Sequence, residues 1–203
     1  MIKQKKFAIF MLFSAIIFSV SCFKPTEANV QKPNQTSDRT TPSTDKSVQT
    51  SDSPTSSKSN YEQALNDYKA KNYDKAESGF KDVITDEPKN ADAHFYLGKI
   101  YVERKDYQTS VPYLQEAVKL DEKTDKLMAL GDSYFELKKY DVAIVQYLKV
   151  SNYEPNNANA YYKMGLTYVG LKNSIAARQQ LRKLEPLNKD LADKLRKEID
   201  KMA

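Results

Sequence analysis

The feature that most restricts this chain is a short run that comes back at a fixed interval. Leu97-Gly98-Lys99-Ile100-Tyr101 returns as Leu130-Gly131-Asp132-Ser133-Tyr134 and as Met164-Gly165-Leu166-Thr167-Tyr168, with steps of 33 and 34 residues between the glycines. Other columns keep the same steps: Ala64 joins the glycines, and Ala76, Ser110, Ala143 and Ala177 form a second set. Phe80, Leu114, Tyr147 and Leu181 form a third, and Tyr73, Tyr107, Tyr140 and Ser174 a fourth. Self-similarity at this period means stacked copies of one supersecondary unit. All columns share one short step, which places a missing residue in the turn Asp121-Glu122-Lys123.

Within each unit the spacing predicts two helices. His94, Leu97, Gly98 and Tyr101 lie at the i, i+3, i+4, i+7 spacing of one buried helical face, with Asn90 as its cap. Asn72, Asp106 and Asn173 stand where second helices should be capped. Pro88 and Pro155 close the first and third units, because a helix does not readily continue through proline. A mid-helix glycine costs about 1 kcal/mol against alanine, so three in register point to a close approach that a Cβ would obstruct.

This pattern resembles the tetratricopeptide repeat. Tyr161, Met164-Gly165, Tyr168, Ala177 and Leu181 carry the likeness in the last unit, and Leu97-Gly98, Tyr101, Tyr107, Leu114 and Ala117 in the second. The resemblance implies an all-α fold: about four helix-turn-helix units stacked into a right-handed superhelical solenoid with a concave inner face. The units are expected at 58–90, 91–123, 124–157 and 158–187, with a capping helix over 188–203. Departures from the pattern are Ala64 for Gly, Ser110 for Ala, no closing proline in the second unit, and an early Pro186. After Pro186, Leu187, Leu191, Leu195 and Ile199 form one apolar stripe backed by charge. Such a helix suits the exposed end of a stacked array.

Ahead of the repeats, composition changes twice. Lys3, Lys5 and Lys6 precede fourteen uncharged residues from Phe7 to Val20, followed by small residues at Ser19 and Ser21. This is the layout of a secretory signal, expected over residues 1–21. As a helix, fourteen residues reach about 21 Å, short of a bilayer's hydrocarbon core of about 30 Å. Ser19-Val20-Ser21-Cys22 resembles the lipobox of bacterial lipoproteins, although that family usually has Leu where Ser19 stands. The resemblance makes Cys22, the single cysteine, the lipidated first residue of the mature chain; an uncleaved anchor is the other reading. Either would place the protein on the membrane of a bacterial cell envelope, on the periplasmic side or the cell surface.

Residues 22–57 contain no Leu, Ile, Tyr or Trp, and Pro25, Pro33, Pro42 and Pro54 interrupt a polar run. Such a stretch buries too little apolar surface to offset its ordering entropy and reads as a disordered tether averaging roughly 30 to 35 Å end to end. Setting aside the three leading lysines leaves 29 basic against 27 acidic residues with the signs interspersed, which removes the case for nucleic acid. One cysteine allows no intrachain disulfide and no thiolate metal cluster.

No phosphate loop, nucleophile elbow or cluster of His, Cys and carboxylates is present, so the chain reads as non-enzymatic, without cofactor or metal. His94, the only histidine, lies on a packing stripe and reads as a core residue. Beside that stripe each first helix carries another: Tyr61, Leu65, Tyr68; Phe95, Lys99, Val102; Met128, Asp132, Phe135; Tyr162, Leu166, Val169. The resemblance makes this face the lining of the concave groove, a surface for a protein or peptide. All but Lys99 and Asp132 are apolar or aromatic, more than a solvated face needs. The alternatives are that the tether, the capping helix or a second copy, in a homodimer, covers it. The Lys/Asn/Arg clamp with which some tetratricopeptide domains grip C-terminal carboxylates is absent, since Tyr61, Leu65, Phe95 and Met128 occupy the corresponding face.

Overall fold

A computed structural model describes residues 54–202, with side chains from Lys58 onward. The expected signal segment, Cys22 and the tether as far as Ser53 lie outside the described residues. Nine α-helices follow in order among the described residues: α1 (Pro54–Lys69), α2 (Tyr73–Asp86), α3 (Ala91–Glu103), α4 (Tyr107–Leu120), α5 (Thr124–Glu136), α6 (Tyr140–Tyr153), α7 (Ala158–Gly170), α8 (Ser174–Leu184) and α9 (Lys189–Asp200). The helix starts four residues inside the stretch read as tether; proline at its first position is compatible with this, because the first N–H of a helix has no partner to lose.

Each helix packs on the next, and the first helices of successive units also touch: α1 on α3, α3 on α5, α5 on α7. The second helices do not meet one another. The array therefore bends with α1, α3, α5 and α7 on the inside, which is an all-α solenoid. Its core is built from the repeated columns. Phe80, Leu114 and Tyr147 are fully buried, as are Ala76, Ser110, Ala143 and Ala177. Ser110 is tolerated because its hydroxyl bonds the Tyr107 carbonyl at 2.9 Å and the Ser133 hydroxyl at 3.0 Å.

The side chains of Asn90, Asp106, Asn157, Asn173 and Asn188 accept from the backbone N–H three residues on, capping their helices. Asn72 does not: its amide turns back and donates to Asp67 at 3.4 Å, leaving α2 without a side-chain cap. Within each unit the two helices are joined by a turn whose pivot is a lysine in the left-handed region, Lys71, Lys105, Lys138 or Lys172, with φ of 57 to 62°. The next N–H in each case bonds the carbonyl five residues back, closing the helix end. A residue with a Cβ gives up roughly 1–2 kcal/mol in this conformation, so the packed helices on either side must hold it there.

The connection from α4 to α5 spans only residues 121–123, one shorter than 87–90 and 154–157. The missing residue is thus where the column spacing puts it. In place of a closing proline, Lys126 does the fastening, 1% exposed, with its Nζ 2.8 Å from Asp92 and 3.0 Å from Asp121. Between the first two units Glu77 gathers Lys81 at 2.6 Å, the Tyr101 hydroxyl at 2.7 Å and Arg104. These hydrogen bonds hold its carboxyl down at about 2.

α9 ends the array. Ala192, Leu195 and Ile199 are buried, Leu191 is half-buried, and Leu187 lies in the turn ahead of the helix rather than on its stripe. Arg196 to Glu185, 2.6 Å, ties α9 back toward α8.

Candidate functional site

Each first helix, on the inside of the bend, carries one of the four expected stripes. Tyr61, Leu65, Tyr68, Lys99, Val102, Met128, Asp132, Phe135, Tyr162, Leu166 and Val169 are half-buried, and all but Lys99 and Asp132 pack against the hydrophobic core. Phe95 stands apart at 7% exposed. Its ring is covered by two lysines, Lys99 and Lys126, each with Nζ 5.4 Å from the ring centroid, and it contacts Tyr96 at 5.4 Å. It is therefore more a floor than a lining.

The first two units share an aromatic cluster. Tyr96, on the flank of α3 that faces α1, stacks on Phe80 at 5.5 Å and meets Tyr68 at 5.2 Å and Tyr61 at 6.5 Å. Burial pushes the Tyr61 hydroxyl up to about 12 and raises that of Tyr68 as well. Lys99 Nζ lies over three rings of this cluster, 5.4 Å from Tyr68 and Phe95 and 5.8 Å from Tyr96, at cation–π range. In the equivalent place one unit on, Asp132 accepts from the buried Tyr147 hydroxyl at 2.7 Å and pairs with Lys163 at 3.0 Å.

Tyr96, Lys126 and Lys163 lie outside the twelve expected stripe positions. Tyr96 belongs to the column Glu62, Tyr96, Ala129, Lys163, whose members differ in character, so no periodic signal marks it. Lys126 had one available clue: a unit short of a residue and a proline needs another fastener.

His94 is only 9% exposed, and its Nε2–H donates to the Pro88 carbonyl at 2.9 Å, joining α3 to the turn before it. Among the described residues no group of three His, Cys, Asp or Glu could hold a metal ion, and no helix is long and apolar enough to cross a membrane. What the twelve stripe positions offer chemically is ring faces, methyl groups, the Lys99 ammonium and the Asp132 carboxylate: recognition groups.

Three family profiles match the chain. One described as tetratricopeptide repeat covers residues 61–124, another of the same description covers 158–190, and one described as TPR repeat covers 131–172. Among solved structures, the chain is similar to YrrB, described as a TPR protein with an unusual peptide-binding site. Identity is 26% over 70% of this chain and 74% of that one, with a TM-score of 0.65. A tetratricopeptide repeat protein from Parabacteroides merdae ATCC 43184 matches at 22% identity over 73% of this chain and 60% of that one, TM-score 0.67. The MamA protein matches at 21% over 72% and 89%, TM-score 0.63. No curated protein matches the sequence.

Proposed function

Because this chain is built of tetratricopeptide repeats, which make protein–protein interaction scaffolds, we propose that it is a non-catalytic, membrane-tethered scaffold of the bacterial cell envelope that holds a polypeptide partner in its concave groove. The observation that carries this is the inner face itself. Ten of its twelve stripe positions are apolar or aromatic, and nearly all keep part of their surface open. Apolar surface of that kind marks interfaces. The likeness to YrrB, whose description names a peptide-binding site, agrees with it.

Site-specific photocrosslinking in intact cells tests the groove. A photoreactive residue at Tyr162 or Leu166 should give a discrete adduct with a second polypeptide, while one at the exposed Ile175 on α8 should not. Equal adducts from both faces would remove the groove. Phe95 is a poor probe, because its loss would disturb Lys126 as well.

The anchor rests on Lys3, Lys5 and Lys6, the apolar run and Cys22. Several acyl chains on one cysteine hold far more firmly than a single chain. Mass spectrometry of the mature N-terminus should find Cys22 carrying acyl groups; an unmodified Cys22 at the start, or a retained Met1, ends the lipoprotein assignment.

Self-association is the alternative, and one observation favours it. On α6 the outward Val142, Val145 and Leu148 are 41, 50 and 49% exposed, where the equivalent residues of α2 are Lys75, Ser78 and Lys81. Sedimentation at low micromolar concentration decides: a monomer is expected if the partner is foreign, and a dimer abolished by Val145→Glu would favour the alternative.

A further inference from the structure

Two charged residues interrupt the apolar columns of the inner face, and they are not in the same condition. Asp132 has a hydroxyl and an ammonium bound to it, at 2.7 and 3.0 Å. Lys99 has three ring faces behind it and no carboxylate paired with it among the described residues. Of the acids nearest along the chain, Asp92, seven residues before it, pairs instead with Lys126 at 2.8 Å, and Glu103, one turn after it, makes no ion pair with it.

Resting on the groove reading above, we propose that the segment bound there places an internal aspartate or glutamate on Lys99, with apolar or aromatic side chains to either side. Cation–π contacts to Tyr68, Phe95 and Tyr96 hold the ammonium in place before any ligand arrives, so less side-chain freedom is lost on binding. They also leave its N–H donors, which rings satisfy poorly, for an acceptor from outside. A carboxylate meeting an ammonium backed by apolar rings interacts through less water than on an open surface, which strengthens the pair. The acid is internal and not a chain end, because apolar lining continues on both flanks. Leu65 and Tyr61 lie toward the start of the array, and Met128 and Phe135 toward its end. A segment terminating on Lys99 would cover only one of these.

The test uses the full chain against an array of random twelve-residue peptides with acetylated and amidated ends, beside a matched array with free C-termini. Blocked peptides retained by the wild type should carry Asp or Glu flanked by Leu, Phe or Tyr. Changing that acid to Gln or Asn should weaken Kd by about tenfold, the size of one good charge pair. In Lys99→Met the same change should cost nothing, and Lys99→Glu should select Lys or Arg instead. Retention of apolar peptides with no acid, or of acids only as free C-termini, overturns the inference and leaves the groove standing. No retention at all, or retention unchanged in Tyr162→Ala with Leu166→Ser, overturns the groove reading itself. If a Lys99 variant loses its helical circular dichroism, the acid-to-amide comparison on the wild type still decides.

Discussion

Lys126→Ala is expected to lower the unfolding free energy by about 3 kcal/mol, and Lys126→Met by about 1 kcal/mol or less. The two substitutions separate the roles of one side chain. Its aliphatic stem is enclosed, 1% exposed, with Nζ over the Phe95 ring at 5.4 Å. Alanine empties that space and frees the short α4–α5 turn. Methionine keeps the stem and loses only the charge. The loss of charge is tolerable because Asp92 and Asp121, 53% and 33% exposed, can return to water. A fully enclosed pair would not have that outlet. Burial pulls the ammonium's pKa down, but bonds to Asp92 and Asp121 outweigh it and the net shift is upward. A group whose pKa rises on folding contributes stability that is complete below its unfolded value of about 10.5 and lost as pH climbs through the folded one. Alkaline denaturation should therefore lose a step in Lys126→Met that the wild type shows. Denaturant midpoints at neutral and alkaline pH measure both; a methionine variant as damaged as the alanine one would make the ion pair itself indispensable.

That fastener also shows where sequence reading stops. The helix columns were legible because the same face recurs four times at helical spacing, so Phe80, Leu114 and Tyr147 declare themselves together. Lys126 recurs nowhere, and a lysine in a charged stretch looks like surface until its acids, five and thirty-four residues back, are placed beside it. The turn lysines are a different kind of omission. Lys71, Lys105, Lys138 and Lys172 keep the 34, 33, 34 spacing, a periodic signal carried by polar residues.

For the candidate site, the sequence marked the stripe but could not grade its members. Phe95 has the same register as Tyr61, Met128 and Tyr162 yet is buried, because Lys99 on its own helix, Tyr96 beside it and Lys126 from the next unit converge on its ring. Exposure in a solenoid is set by the neighbouring unit's choice of residue, which a repeat signature averages away. The glycine column signals a close approach, but spacing alone does not identify the partner. A Cβ on Gly98 or Gly131 would come within 2.7 Å of Leu114 or 2.6 Å of Tyr147, the same unit's second helix. On Gly165 it would run into the Leu195 side chain of α9.

That last contact makes the end of the array testable by a double-mutant cycle. Leu195→Ala should cost about 3–5 kcal/mol, since the side chain is fully buried between α9 and α7. Gly165→Ala should cost about 1–2 kcal/mol: helix propensity favours it by about 1 kcal/mol, but forcing a methyl into an enclosed Leu195 costs more. Combined, the two should cost less than their sum by about 1–2 kcal/mol, because removing the leucine clears the space the methyl needs. In a stacked array each unit is held mainly by its neighbours. The leucine loss should therefore appear first as faster amide exchange in α9 and α8, with α1 to α4 still protected. Additive costs would mean that Gly165 and Leu195 do not bear on each other, and uniform loss of protection would mean that α9 stabilises the whole array rather than its last unit.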